Sequence, residues 1–301
     1  MSPDLRRRPV ALVLVGTALA TGLLAWSLTR EHGPAGRTHL QVGAFVASTG
    51  AGPARQTAAL RAAEHRLGRR LDIVQSFHAW TDPFPSAFDR YVVDRGSTLL
   101  LSWAGTDTAR ILAGADDAMI ADRAAALAAL HRPVLLRWRW EMNRPNLAGE
   151  VGPPERYVAA WRHLRSMFAA AGADNVSWVW CPLARDFANT GPAYFPGDDQ
   201  VDWLCTDAYT LDPREALAPQ LAPVLAWARA HPQPVMIGEF GTTRGAPGRR
   251  ARWLRDVADY VRRHPDIRAA LYFDADAPAG RFSLDDEEGA WQAFADWLHG
   301  S

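Results

Sequence analysis

Two glutamates stand at the C-terminal ends of apolar runs that have the pattern of buried β-strands. The runs are Pro133-Val-Leu-Leu-Arg-Trp-Arg-Trp-Glu141 and Pro234-Val-Met-Ile-Gly-Glu239-Phe-Gly241. Two carboxyl groups on opposite sides of an anomeric carbon can cleave a glycoside with retention of configuration. One protonates the leaving oxygen and the other attacks the carbon. We therefore expect Glu141 to be the acid/base and Glu239 the nucleophile.

Eight strand-like runs alternate with helical segments, which predicts an α/β fold with a single (β/α)₈ barrel over residues 39–301. The strand candidates are His39–Val46, Asp72–His78, Thr98–Trp103, Pro133–Trp140, Val176–Cys181, Val201–Asp207, Pro234–Phe240 and Ile267–Phe273. The helix candidates are Ala54–Arg70, Asp117–His131, Pro153–Ala171, Arg214–Ala230, Arg249–Arg263 and Glu288–His299. The active site of such a barrel lies where the strands end. The two glutamates follow the fourth and seventh strands, which face each other across the mouth.

Further polar side chains have the strand periodicity that would bring them to the same mouth. Residues two apart share one face of a strand, so Asp207 and Tyr209 face the same way beside strand seven. A phenol there is expected to hydrogen-bond Glu239 and to favour the ionised carboxylate. Arg137 has the same parity as Glu141, and its charge would act in the same direction. A salt bridge in the barrel core, without a catalytic role, is the alternative for Arg137.

Three segments carry a resemblance to a known family. The segment Arg137-Trp-Arg-Trp-Glu141-Met-Asn143 resembles the Arg-x-x-His-Glu-Met-Asn-Gly motif of glycoside hydrolase family 26. Gly238-Glu239-Phe240-Gly241 is similar to the family's nucleophile motif, and residues 201–209 resemble its strand-six signature. The resemblance covers nearly all of the chain after residue 38. It implies a β-mannanase-like hydrolase of the clan whose catalytic glutamates follow strands four and seven.

The sequence departs from this family's pattern next to the acid/base. Trp140 stands where the family has histidine, and Arg144-Pro145-Asn146 replaces a glycine and a sugar-binding aromatic residue. These changes leave the two carboxylates intact and alter the adjacent subsites. Mannan, mixed-linkage β-glucan, β-1,3-xylan and an exopolysaccharide therefore all remain possible substrates, with endo-type cleavage favoured. A glycan-binding barrel without activity is the alternative that Trp140 leaves open.

Several residues near the predicted strand ends are candidates for contacts with sugar, because aromatic faces stack on pyranose rings. The candidates, besides Arg137, Asp207 and Tyr209, are His78, Trp80, Trp103, Trp140, Asn143, Trp180 and Tyr272, with Phe273 as the alternative to Tyr272. For any single tryptophan, packing between the barrel and the helices is the competing interpretation.

The composition excludes several other functions. The net charge is zero and no basic stripe occurs, so nucleic acid is not an expected partner. The nine histidines have no metal-ligand spacing, and no glycine-rich phosphate loop follows a strand. The sequence therefore predicts no metal and no cofactor, and a monomer whose partner is a polysaccharide.

The N-terminus has the pattern of an export segment. Arg6-Arg-Arg8 precedes an apolar stretch, so residues 1–28 read as a cleaved signal peptide or an uncleaved membrane anchor, and residues 29–38 as a tether. Either form places the barrel outside the cytoplasm, secreted or attached to the membrane. Cys181 and Cys205 fall on neighbouring strands, where export would permit oxidation. We nevertheless expect two free, buried thiols, because neighbouring strands seldom offer disulfide geometry.

Overall fold

The computed structural model describes residues 40–285 and 287–301. The predicted signal or anchor segment (1–28), the tether (29–38) and His39 lie outside these residues. Among the helices of the described part of the chain, none combines the length and the apolar character that a membrane crossing requires.

Eight parallel strands form a closed barrel in chain order, and β8 pairs with β1 to complete it. The strands are β1 (Gln41–Val46), β2 (Ile73–His78), β3 (Thr98–Trp103), β4 (Val134–Trp138), β5 (Val176–Trp180), β6 (Trp203–Thr210), β7 (Val235–Thr242) and β8 (Ile267–Asp274). Every predicted strand is present within a few residues of its expected position. The predicted (β/α)₈ barrel is confirmed.

Within the described residues, ten helices surround or cap the barrel. They are α1 (Pro53–Leu67), α2 (Ala87–Asp94), α3 (Thr108–Leu112), α4 (Asp117–Ala128), α5 (Ala148–Val151), α6 (Pro154–Ala170), α7 (Phe187–Thr190), α8 (Ala218–Ala228), α9 (Arg249–Arg262) and α10 (Glu288–His299). The sequence did not predict α2, α3, α5 or α7. A capping box starts α2, because Ser86 accepts from the backbone of Asp89 and the Asp89 carboxylate accepts from the backbone of Ser86.

The connection between β5 and β6 has local structure of its own. It contains α7 and two short 3₁₀ turns at Pro192–Tyr194 and Asp198–Gln200. Proline at the first position of the Pro192 turn supplies a φ angle suited to a helical start. A small antiparallel pair, β9 (Asp276–Ala277) and β10 (Gly280–Arg281), follows β8.

The apolar side chains divide into two layers according to the alternation of each strand. One layer fills the barrel interior and contains Ile73, Leu100, Leu135, Val179, Cys181, Cys205, Met236, Ala269 and Leu271. The larger layer lies between the strands and the helices, and Trp103, Trp138 and Trp161 are fully buried in it. The parity of a strand residue thus decides whether its side chain reaches the barrel interior or the surrounding aromatic layer.

Candidate active site

The chain leaves β4 through two residues with left-handed backbone. Arg139 has a φ of 47° and Glu141 a φ of 53°. The N–H of Glu141 donates a 2.7 Å hydrogen bond to the carbonyl of Cys181 at the end of β5, which holds this turn in place. Non-glycine residues in this region cost about 1–3 kcal/mol each, and such strain is typical of functional sites. The Glu141 side chain is buried, and the turn brings Trp140 over the guanidinium of Arg137.

A bulge in β7 sets the direction of Glu239. The β6–β7 register pairs Thr206 with Ile237 and then Asp207 with Glu239, so Gly238 is the extra residue. Met236 points into the barrel, and strict alternation would send Glu239 outward. The bulge reverses this and turns the Glu239 carboxylate inward. Gly238 is required here because a Cβ would lie 2.8 Å from the Oδ1 atom of Asp207.

Three side chains hold the Glu239 carboxylate. Oε1 accepts hydrogen bonds from the guanidinium of Arg137 and from the amide of Gln75, the latter at 2.9 Å. Oε2 accepts from the hydroxyl of Tyr209. Nη1 of Arg137 also lies 2.9 Å from both oxygens of Asp207, which anchors the guanidinium from the opposite side.

Burial and neighbouring charge affect the titration of this network. Burial raises the pKa of Asp207 well above its ordinary value, although the charge of Arg137 opposes the shift. Burial also raises the pKa of Tyr209, and the charges of Glu239 and Asp207 add to the rise, so the phenol remains a hydrogen-bond donor. For Arg137 the two carboxylates outweigh the effect of burial and raise its pKa, so it stays cationic.

Glu141 has a different environment from Glu239. Its Oε2 accepts a 2.6 Å hydrogen bond from Nη1 of Arg144, an exposed residue three positions later. Burial raises the pKa of Glu141, and the charge of Glu239 raises it further, while the charges of Arg144 and Arg137 lower it in part. One carboxyl therefore has a raised pKa, and the other is fixed by three donors. A double displacement needs two carboxyls in environments that differ in this way, one for the acid and one for the nucleophile.

Aromatic rings surround the two carboxylates at the barrel mouth. Phe45, Phe77 and Phe273 are half-buried inward residues of β1, β2 and β8, and Phe77 lies 5.2 Å from the Trp140 ring. Phe273 was predicted as an alternative to Tyr272, whereas Phe45, Phe77 and Gln75 were missed. Their parity was a usable signal, since Gln75 and Phe77 share the inward face of β2 with Ile73.

Five predicted sugar-contacting residues point away from the mouth, which corrects their placement. Trp103 follows the inward Ser102, so it faces the helices. Trp80 stacks on it there, with the two ring centroids 4.4 Å apart. Trp180 likewise faces outward, and its ring centroid lies 5.4 Å from that of Trp227. Strand alternation, which the prediction did not apply to them, accounts for these positions.

The other two outward residues are His78 and Tyr272. Nε2 of His78 lies 2.9 Å from the Oδ2 atom of the buried Asp89 on α2. The hydroxyl of Tyr272 donates to the carbonyl of Phe282. Neither side chain faces the mouth.

Asn143 uses its amide group within the protein. Its Nδ2 donates to the Leu183 carbonyl and to the Thr190 hydroxyl, both at 3.1 Å, and its Oδ1 accepts from the N–H of Leu183 at 2.8 Å. Asn143 thus ties the β4 loop to the β5 loop and supports the turn that carries Glu141.

Cys181 and Cys205 are joined by a disulfide bond inside the barrel, so the preference for free thiols was wrong. Their Cα atoms are 4.3 Å apart, because both side chains point inward from adjacent strands. The glycine at position 238 leaves room for the two sulfur atoms, and Sγ of Cys181 lies 3.3 Å from the Oδ1 atom of Asp207.

Within residues 40–285 and 287–301, the one group with metal-ligand proximity is Cys181, Cys205 and Asp207. Both sulfurs are bonded to each other and both Asp207 oxygens contact Arg137. These atoms are therefore poor candidates for metal ligands.

Comparisons with known proteins agree with the motifs. The profile of glycosyl hydrolase family 26 matches residues 90–220. Endoglucanase H of Acetivibrio thermocellus is 29% identical over 277 residues, which are 85% of this chain and 30% of that protein. The β-1,3-xylanase TXYA of a Vibrio species is 32% identical over 119 residues, or 38% of this chain and 24% of that protein. The chain thus spans less than a third of the length of these two relatives.

Solved structures share the fold at low identity. A family 26 β-mannanase from Bacteroides ovatus superimposes with a TM-score of 0.68 at 16% identity, covering 87% of this chain and 88% of the other. The endo-β-1,4-mannanase domain of Bacillus sp. JAMB-750 gives the same TM-score at 15% identity, with 87% and 86% coverage. The motifs on β4, β6 and β7, the profile match over residues 90–220 and the related sequences all show that this chain is similar to glycosyl hydrolase family 26.

Proposed function

We propose that this protein is a retaining β-glycoside hydrolase that cleaves a β-linked polysaccharide, with Glu141 as acid/base and Glu239 as nucleophile. The observation that carries the proposal is the unequal environment of the two carboxyls. Glu141 is buried, has a raised pKa and contacts one arginine. Glu239 is fixed by Arg137, Gln75 and Tyr209.

Each residue of the network then has a step to perform. Glu141 donates its proton to the glycosidic oxygen while Glu239 attacks the anomeric carbon, which breaks the C–O bond and forms a glycosyl ester. The ionised Glu141 next removes a proton from water, the water oxygen attacks the same carbon, and the carboxylate of Glu239 leaves. Gln75 and Tyr209 keep the attacking oxygens oriented. Asp207 positions Arg137, whose charge balances that of Glu239.

The relatives support a β-linked polysaccharide as the substrate and endo-type cleavage. Two structural neighbours are described as β-mannanases, and the related sequences carry the names endoglucanase and β-1,3-xylanase. The half-buried Trp140 offers a ring beside the catalytic pair for stacking on a sugar. Because Trp140 replaces the family's histidine, we favour a mannanase-like enzyme whose preferred sugar differs from unbranched β-1,4-mannan.

We further propose that the barrel acts outside the cytoplasm, secreted or anchored by residues 1–28. The buried Cys181–Cys205 bond supports this, since structural disulfides form and persist in oxidising compartments.

The test uses the barrel with Glu239→Ala and Glu141→Ala variants and the exposed Glu215→Ala as a control. Glucomannan, mixed-linkage β-glucan and β-1,3-xylan serve as substrates, and released reducing ends are measured. We expect the Glu239 variant to be inactive and the control to retain full activity. Azide should restore turnover of an activated aryl glycoside by the Glu141 variant and yield a β-glycosyl azide.

The outcomes separate catalysis from binding alone. Full activity in Glu239→Ala would contradict the proposed nucleophile. Tight binding of oligosaccharides by calorimetry without any released product would show a glycan-binding barrel instead.

A further inference from the structure

Arg144 occupies an unusual position beside the general acid. Its side chain is 43% exposed, and the Glu141 carboxylate that it contacts is 8% exposed. The guanidinium thus has one side against the catalytic carboxyl and another open to the barrel mouth. A guanidinium presents five N–H donors in a planar arrangement. Arg144 uses only its Nη1 group to donate to Glu141.

The catalytic cycle changes what Arg144 contacts. Before bond cleavage Glu141 must carry a proton, and a neutral carboxyl no longer balances the charge of the guanidinium. Arg144 then presents an unbalanced positive charge next to the leaving-group oxygen. An anion supplied by the substrate at this point would replace the lost partner and form charge-assisted hydrogen bonds.

The charged groups around Glu141 determine how readily an anion can replace Glu141 as the partner of Arg144. Arg144 belongs to its own loop, Arg137 faces it from β4, Asp207 from β6 and Glu239 from β7. Arg137 is committed to Asp207 and Glu239 within the barrel. Arg144 is therefore the cation beside Glu141 that an incoming anion can reach from the mouth.

A second basic feature lies on the same face of the barrel. The loops after β6 and β7 enclose a cavity of about 400 Å³ whose lining includes Arg214, Arg244 and Arg249 around Asp212. The lining carries three arginines and one aspartate, and Asp212 pairs with Arg214. Arginines at the rim of a barrel mouth favour the approach of a polyanionic chain.

We propose that Arg144 forms a subsite for an acidic substituent, a carboxylate or sulfate, on the leaving-group part of a β-linked glycan, so that the preferred substrate is an acidic polysaccharide. This inference rests on the proposed glycosidase function. Binding of the substituent draws Arg144 from Glu141 and lets Glu141 keep its proton. The enzyme would thereby protonate the leaving group of an acidic glycan at a pH at which a neutral glycan is cleaved slowly.

The kinetic test compares parent glucomannan with the same polymer partly oxidised at C6 to uronic acid. We expect kcat/KM to be about tenfold higher for the oxidised polymer, the gain of one hydrogen bond to a charged group. Arg144→Gln should abolish this preference and move the basic limb of the pH profile for the parent polymer to higher pH. Arg268→Gln removes an exposed arginine at the opposite end of the barrel and should keep the preference.

A binding test separates failure of this inference from failure of the proposed function. Glu141→Gln imitates the protonated acid, so it should bind size-matched oxidised oligosaccharides more tightly than wild type does. The double variant with Arg144→Gln should lose that gain. Equal kinetics on both polymers, or an acidic preference that survives Arg144→Gln, overturns the subsite. If no polymer is cleaved, the proposed function fails. If the double variant also binds the oxidised oligosaccharides as tightly as Glu141→Gln does, the subsite is overturned independently of cleavage.

Discussion

The hydroxyl of Tyr209 donates a hydrogen bond to Oε2 of Glu239 across the β6–β7 pair. The same carboxylate receives Arg137 and Gln75 on its other oxygen. Each oxygen of Glu239 is therefore held before a substrate arrives, which is the preorganisation that covalent catalysis needs.

Loss of the Tyr209 hydroxyl should weaken catalysis without unfolding the barrel. A hydrogen bond to a charged group is worth about 1.5–3 kcal/mol, so we expect Tyr209→Phe to lower kcat by roughly 10- to 100-fold. The phenyl ring still packs on Phe282, so the free energy of unfolding should fall by no more than about 1.5–3 kcal/mol, the contribution of the lost hydrogen bond, and the barrel should stay folded. Steady-state kinetics and denaturant unfolding measure the two effects. An unchanged kcat would show that this bond has no part in the reaction.

The two layers of tryptophan should respond differently to truncation. Trp140→Ala removes a half-buried ring at the mouth and should raise KM several-fold, since contacts of this kind contribute about 1 kcal/mol. Trp180→Ala removes a ring that is 1% exposed and packs on Trp227 and Phe195, and it should lower the free energy of unfolding by about 3–5 kcal/mol. KM of the folded Trp180 variant should stay near that of wild type. A KM effect from Trp180→Ala equal to that of Trp140→Ala would place both rings in the site.

The disulfide should stabilise the barrel measurably. Cys181 and Cys205 are separated by 24 residues, and the chain-entropy relation for such a loop gives about 3 kcal/mol. We expect reductant to lower the midpoint of denaturant unfolding of the wild type and to leave that of a Cys181→Ala/Cys205→Ala variant unchanged. Alkylation of the unfolded, unreduced protein followed by mass measurement should detect two unmodified cysteines. Two alkylated thiols would contradict the bond.

Asp274 should make stability fall as the pH rises. Burial raises its pKa from 3.8 to about 6, with a further rise from Asp285 and partial lowering by the N–H of Leu284. Below about pH 4 both states hold the proton and the full contribution is present. Between about 4 and 6 only the unfolded carboxyl ionises, so stability is lost, by about 3 kcal/mol in all.

The Asp274→Asn variant is the matched comparison for this effect. An asparagine oxygen can still accept from the N–H of Leu284, so the 2.7 Å hydrogen bond can persist. The difference in free energy of unfolding between the variant and the wild type should shift in favour of the variant as the pH rises from 4 to 7. Parallel pH curves for the two proteins would contradict the raised pKa.

Strand periodicity predicted the parts of this site that obey it. The eight strands and the inward position of Arg137, Asp207 and Tyr209 follow from alternation and strand order. Alternation applied to every strand would also have excluded Trp103 and Trp180 and included Phe77. These errors came from judging residues by type and by nearness to a strand end.

Other parts of the site depend on local irregularities of the backbone, which the periodicity of the sequence does not predict. The bulge at Gly238 reverses the direction of Glu239, and the left-handed turn at Arg139 and Glu141 brings Trp140 to the mouth. The contact between Arg144 and Glu141 exists only because of that turn. The disulfide requires two inward side chains at one level of the barrel, which depends on the relative register of β5 and β6.

Gly238 also constrains how this sequence can change over generations. A Cβ at that position would collide with the sulfur atoms of the disulfide and with Asp207, the residue that anchors Arg137. Position 238 can therefore accept a side chain only in a lineage that has already lost the bridge and rearranged the carboxylate. Mutational libraries of the wild type should recover glycine alone at this position.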